Sequence, residues 1–288
     1  MASLMSIGLP PKPAACLLSA SLPLLVLSES RSSHTGHFFF KTVSSLAFLG
    51  GPLLRASQSH SPYAIRMAAG FVFSLIGDIL LVPARKDYYA ETDSTGQTDN
   101  NNNSDKPTEQ NVSSTYKISK SFRLGVVAFA AAHAAYVLAF LSDAESISWP
   151  KFVTTLVANT VLSKFLGVIY PSENKDSSWS VGNLLNLSIS SDMKPLTTAY
   201  AIIIGSMMAA ATAVQPRAGS ESLQQQRLLG AAMFVASDVF VAKDTFGRKG
   251  TAEKKQPGQG KKQRHWLFLT VGWGLYFWGQ MILAGTVQ

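Results

Sequence analysis

One cysteine, Cys16, occurs in 288 residues. A single thiol excludes an intrachain disulfide and a cysteine-rich metal site. Two histidines at i,i+4, the usual helical metal-ligand spacing, are absent as well. Charge is also scarce. Only 15% of residues are charged, where a soluble domain carries about 25%, so much of the surface faces something other than water. What fills the gap is apolar: 47% of the chain. It comes in runs of about 20 residues, the length that crosses a hydrocarbon core of about 30 Å as a helix. The net charge is +8, but the basic residues sit mainly between the apolar runs. That placement fits anionic lipid headgroups and membrane topology rather than nucleic acid.

The fold class expected is all-α, a polytopic transmembrane helix bundle of about eight spans. They fall at 14–28, 37–54, 62–83, 123–142, 151–170, 195–215, 228–246 and 265–286. The first admits two readings, a membrane span or a signal peptide, because it is short and follows Lys12. The second contains Lys41 and is broken at Gly50-Gly51-Pro52. Residues 1–36 form an N-terminal segment with this weak first span, and 37–287 form the main transmembrane domain. Two polar insertions interrupt it, at 84–121 and 247–264. The first carries an Asn-rich tract at 100–103 and is expected to be disordered. The second is a flexible basic loop with Lys254-Lys255 and Lys261-Lys262.

Loop charge sets the orientation. Lys243, Arg248, Lys249, Lys254, Lys255, Lys261, Lys262 and Arg264 crowd one loop, and Arg85, Lys86, Lys106, Lys117, Lys120 and Arg123 the other. Eight spans put both loops on one side, expected to be cytoplasmic, with the termini opposite. Asn102-Asn103-Ser104 and Asn111-Val112-Ser113 are glycosylation sequons in the first basic loop, and glycan on either would reverse this orientation. The protein is expected to be a multi-pass protein of the endoplasmic reticulum membrane.

An ionisable side chain inside a span must find a partner or water, so each is a candidate for function. Asp78 follows Ser74 by one turn, and Gly77 beside it permits close approach of another helix or a substrate. Asp238 sits near mid-span on a stripe with Gly230 and Phe234; its structural alternative is a buried pair with Lys41. His133 and Tyr136 share a face of an alanine-lined helix. Tyr276 and Gln280 are at i,i+4, with Trp residues around them, and Gln280 serves equally well to join two helices. Lys41 either snorkels, neutralises an internal carboxylate or meets a phosphate. Lys164 reads as a snorkelling side chain near a span end.

Taken together these residues resemble the lysoplasmalogenase-like membrane family, also called YhhN-like. The matching pieces are Lys41, the Ser-Leu-Ile-Gly-Asp-Ile-Leu-Leu segment ending at Leu81, and Phe129 with His133 and Tyr136. Pro195 with Tyr200 and Met207 follows, then Gly230-Ala231 through Phe234 to Ser237-Asp238, then Tyr276 with Gln280. The resemblance covers residues 37–284. Thr42 stands where the family often has proline, and both polar insertions are longer than in compact bacterial members.

The resemblance implies an integral membrane hydrolase that cleaves the vinyl ether bond of lysoplasmalogen, giving a fatty aldehyde and a glycerophospho-alcohol. Its substrate is a lysophospholipid taken from among membrane lipids, and it needs neither metal nor organic cofactor. Vinyl ether hydrolysis asks for a proton donor, a base and negative charge near an oxocarbenium-like cation. Asp78 and Asp238 are the catalytic candidates, as paired carboxylates divide those roles in glycosidases. Lys41, His133, Tyr136, Tyr200, Ser237, Tyr276 and Gln280 are the binding or orienting candidates. Two other classes stay open: a proton-coupled transporter, since buried Asp, His and Lys also suit proton relays, and a noncatalytic membrane scaffold using the basic loops.

Overall fold

The computed structural model describes residues 8, 11–31, 33–82, 89–90, 117–171, 182–215, 219, 221–247 and 266–287. Eight helices run through them: α1 (Lys12–Ser30), α2 (His34–Ser59), α3 (Pro62–Leu80), α4 (Lys120–Ser142), α5 (Trp149–Leu166), α6 (Lys194–Ala213), α7 (Glu221–Phe246) and α8 (Trp266–Ala284). At 1.5 Å per residue each is long enough to cross a hydrocarbon core.

Local chemistry sets the helix starts. Ser33, Ser61 and Ser119 cap α2, α3 and α4 by accepting from the amides of Gly36, Ala64 and Phe122. Proline, which lacks the amide that a first turn leaves unbonded, opens α1, α3, α5 and α6. Gly167 ends α5 with a φ of 87°, a left-handed conformation that favours glycine.

Five helices, α1, α3, α4, α6 and α8, are long and apolar enough to cross a membrane by themselves. The other three also carry polar or charged residues: Lys41 on α2, Asn159 on α5, and Arg227 and Asp238 on α7. The bundle arranges them around a common interior. Helices α2, α3, α4, α6, α7 and α8 pack in that order as a closed ring, α8 returning to α2. Helix α1 lies outside against α2 and α8, and α5 lies outside against α6. The signal-peptide alternative for the first span meets a packed α1, with Leu18 and Leu25 buried and Ser21 2.8 Å from Ser44 of α2.

A β-carbon on Gly70 would lie 2.3 Å from the Tyr136 ring, and one on Gly77 2.7 Å from Phe129. The two glycines thus let α3 and α4 close on each other. The close approach foreseen at Gly77 is therefore to a helix, α4.

The two ends of the bundle differ. At one end Arg227, which is buried, bonds Asp143 and, at 3.1 Å, Tyr63, whose hydroxyl lies 2.6 Å from Thr286. Gln226 reaches both the Gly8 backbone and the Ile282 carbonyl. Strands β3 (Ser146–Ile147) and β4 (Val214–Gln215), named after the pair below, join there in antiparallel register. At the other end the segment 182–193 folds inward. Leu187, Ile189 and Met193 pack with Phe122, and the Ser188 amide donates to the Phe246 carbonyl at 2.7 Å.

Two expectations need correction. Gly50-Gly51-Pro52 breaks nothing: α2 runs through it without interruption. The first polar insertion is not irregular throughout, because β1 (Tyr89–Ala90) pairs antiparallel with β2 (Lys117–Ile118), and α4 begins at Lys120. The rest of that insertion, with both sequons, and most of the second lie outside the described residues.

Candidate functional site

Regular spacing on six helices delivers the polar side chains to one place. Lys41 and Ser45 are a helical turn apart on α2, Ser74 and Asp78 on α3, His133 and Tyr136 on α4. Phe234 and Asp238 share a face of α7, and Tyr276 and Gln280 one of α8, while α6 supplies Tyr200.

Asp78 is 1% exposed and wrapped by donors. Lys41 Nζ lies 3.3 Å from its Oδ1. Ser45 and Tyr276 hydroxyls each donate to its Oδ2 at 2.7 Å. A buried carboxylate is tolerable only when paired and hydrogen-bonded, and here both oxygens are occupied. The Lys41 ammonium also sits 5.0 Å from the centre of the Trp273 ring. The partner of Lys41 is thus Asp78, not the Asp238 considered as its structural alternative.

Below this cluster Tyr136, Gln280 and Ser74 close a triangle. Tyr136 donates to Gln280 Oε1 at 2.9 Å, Gln280 Nε2 donates to Ser74 Oγ at 2.9 Å, and Ser74 lies 3.2 Å from the Tyr136 hydroxyl. All three are buried, and they hold α3, α4 and α8 together.

Asp238 is served differently. Tyr200 donates to its Oδ2 at 2.5 Å. His133 Nε2 lies 3.1 Å from the Tyr200 hydroxyl. A hydroxyl has one hydrogen, so while Tyr200 donates to Asp238 it must accept from His133. The three form a directional chain, and reversing one bond reverses the other. Nδ1 of His133 is buried without a hydrogen-bond partner, and the ring stands edge-on to Phe234, centroids 4.5 Å apart. Among the described residues no cation pairs with Asp238.

Both acids open on one cavity of about 410 Å³. Lys41, Asp78, Tyr200, Asp238, Tyr276 and Trp273 all line it. Asp238 and Tyr200 are half-buried, as side chains that border a hollow. The acids do not bond each other: Tyr276 on Asp78 meets the Phe234 ring at 5.3 Å, and Phe234 in turn meets His133. An aromatic partition therefore stands between two carboxyl groups of unlike surroundings.

The remaining candidates stand back from the hollow. Tyr136, Gln280 and His133 do not line it; His133 reaches it through Tyr200, and Tyr136 and Gln280 bond each other and Ser74. Ser237 is buried and its hydroxyl donates to the Phe234 carbonyl of its own helix at 2.7 Å, so it makes no contact with Asp238's partners. Lys164 bonds the Tyr170 carbonyl at 2.6 Å at the end of α5. Sequence reasoning passed over Ser45, Trp273 and Glu29 as site residues. Ser45 carries a usable signal, four residues after Lys41. The other two had none, since only the tertiary packing brings them to the cavity. No group of three His, Cys, Asp or Glu able to hold a metal occurs among the described residues.

The model of the YhhN family matches residues 110–287. That stretch takes in α4–α8, and so His133, Tyr200, Asp238 and Tyr276. Lys41, Ser45 and Asp78 lie N-terminal to it and complete the site from α2 and α3. No curated protein and no solved structure matches the chain.

Proposed function

This chain belongs to the YhhN family, and on that premise we propose that it is a membrane-embedded hydrolase, cleaving the vinyl ether bond of lysoplasmalogen to a fatty aldehyde and a glycerophospho-alcohol. The observation that carries the reading is the pair of carboxyl groups, Asp78 and Asp238, facing one cavity from unlike surroundings. Two acids kept apart in this way can hold different protonation states and divide acid and base work.

The roles follow from the partners. Asp78, with an ammonium and two hydroxyl donors, is the anion. Asp238, with a phenol at one oxygen and no cation among the described residues, is the proton carrier. In the first step Asp238 gives its proton to the β-carbon of the vinyl ether. The π electrons form the new C–H bond, and the ether oxygen shares its lone pair to give an oxocarbenium ion. Asp78 supplies negative charge toward that cation. Water then attacks the cationic carbon and passes its proton to Asp238, which restores the acid. The hemiacetal collapses as its hydroxyl proton leaves and the glycerol oxygen takes one up, releasing aldehyde and alcohol. Tyr200 and His133 hold Asp238 in place and offer a path for the proton. The apolar lining keeps bulk water from the cation.

A proton-coupled carrier would need the bundle to open at its other end, where Arg227, Asp143, Tyr63 and Thr286 are bonded to one another. The hydrolase asks for one opening only. The membrane we assign is that of the endoplasmic reticulum. In the deciding experiment, purified protein in detergent is given lysoplasmenyl-ethanolamine and aldehyde is measured. Release is expected from the parent protein, with a loss of about 10²–10⁴-fold in Asp78→Asn and Asp238→Asn. Full activity in both variants would rule out the paired-carboxyl mechanism.

A further inference from the structure

The cavity that holds Asp78 and Asp238 is not uniform along its length. Its wall at the α1–α2 corner is polar: Glu29, Ser33, His34, His37 and Lys41. Its wall on the far side is mainly apolar, made by Leu162 and Leu166 of α5 and by Val239, Val241 and Ala242 of α7, with Ala201 and Ile204 of α6 as the floor, and is interrupted by Asn159, Ser163, Thr197, Asp244 and Thr245. A chain of contacts orders the two walls. Glu29 accepts from Trp273 Nε1, Trp273 meets Tyr276, Tyr276 meets Phe234, Phe234 meets His133, and His133 meets the Tyr200 that bonds Asp238. The carboxyl groups therefore lie between a charged corner and a mainly apolar trough.

The trough faces sideways. Helix α5 leans on α6 and makes its packing there, and none of its residues is buried. Leu162 is 51% exposed and Val241 45%, although both line the cavity. Along the bundle axis the way out is occupied by Leu187, Ile189 and Met193 packed on Phe122 and Phe246. An opening that is mainly apolar, lateral and continuous with a charged pocket admits a molecule with the same division, a charged head on an apolar tail. Its volume of about 410 Å³ is near the lower end of the usual range for ligand pockets, roughly 300–1,000 Å³, and suits one chain rather than two.

We infer that the trough between α5 and α7, floored by α6, is the alkyl-chain site of a single-chain phospholipid whose headgroup lies at the α1–α2 corner. The inference deepens the hydrolase reading and rests on it only for the bond that is cleaved. It makes Leu162, Val239 and Ala242 determinants of chain length. It also has the lipid slide in from the hydrocarbon between α5 and α7, so the chain never leaves an apolar medium. At the corner, Glu29 faces the cationic end of a zwitterionic headgroup, while the histidines and the first turn of α2 face its phosphate.

The test uses a ligand that cannot be cleaved. A saturated 1-O-hexadecyl lysophosphoethanolamine with a diazirine at the chain terminus is bound to the full protein in detergent and irradiated. Adducts are expected on α5 or α7, within 159–166 or 239–246; adducts confined to α1 or α2 would overturn the placement. Binding is then measured for hexadecyl and octyl analogues. Leu162→Trp is expected to weaken the hexadecyl analogue about tenfold, the scale on which an apolar pocket senses a small volume change, and to leave the octyl analogue unchanged. Val161→Trp, an equally exposed neighbour outside the lining, is the control and should change neither. Equal effects in the two variants, or equal competition by a diacyl phospholipid, would overturn the inference. The adduct pattern together with no aldehyde from the vinyl ether substrate would sink the hydrolase reading and leave the chain site standing.

Discussion

Lys41 Nζ of α2 and Asp78 Oδ1 of α3 meet at 3.3 Å with side chains only 3% and 2% exposed. Each charge makes the other tolerable in a medium where neither could stand alone, so removing one should hurt more than removing both.

Lys41→Met should lower stability by about 3–5 kcal/mol, the usual consequence of leaving one member of a buried pair uncompensated. Lys41→Met combined with Asp78→Asn should recover much of that loss. Thermal unfolding in detergent compares the three proteins. A double variant less stable than Lys41→Met alone would contradict the pairing.

Tyr200→Phe removes a single oxygen, yet it takes from Asp238 its donor and from His133 Nε2 its partner. The fold should survive. The turnover number should fall about 10²-fold or more, with little change in KM. Adding His133→Gln to Tyr200→Phe should cost little further, since both act through one chain. Steady-state aldehyde release on the single and double variants measures this, and additive losses would count against the relay.

Gly70→Ala and Gly50→Ala should move in opposite directions. A β-carbon at Gly70 collides with the Tyr136 ring, and at Gly50 it meets nothing within 4 Å. The first should destabilise by about 1–3 kcal/mol through overpacking. The second should stabilise by up to about 1 kcal/mol through helix propensity alone. Unfolding midpoints of the two variants decide it.

Arg227→Met should weaken the tied end of the bundle without touching the cavity. Melting should come earlier, while the folded fraction keeps its aldehyde release per molecule. A selective loss of turnover at unchanged stability would show that this end takes part in the chemistry.

How much of this was readable in the chain depends on what each residue does. Asp78 and Asp238 announce themselves, because a carboxyl group in an apolar helix has few uses. Lys41 is as visible, but sequence left its partner open, and α2 finds Asp78 on the next helix along. Tyr136 and Gln280 read as polar residues on helix faces; only packing shows that they close a ring with Ser74 rather than line the hollow. Ser237 sits beside Asp238 in sequence and is turned away by a bond to its own backbone. The Gly50-Gly51-Pro52 triplet reads as a stop, yet α2 runs through it, with Pro52 buried and Gly50 open. Trp273 and Glu29 were invisible as partners, since 244 positions separate them.

The order in which the polar contacts can form has a bearing on how the chain enters the bilayer. Lys41, Ser45 and Asp78 all belong to the α2–α3 hairpin, so the two opposite charges can be inserted as a neutral unit while the ribosome is still making the rest. The bonds of Gln226 to Gly8 and of Thr286 to Tyr63 must wait for α7 and α8. Biogenesis thus separates into an early, self-neutralising hairpin and a late latch that joins the first residues to the last.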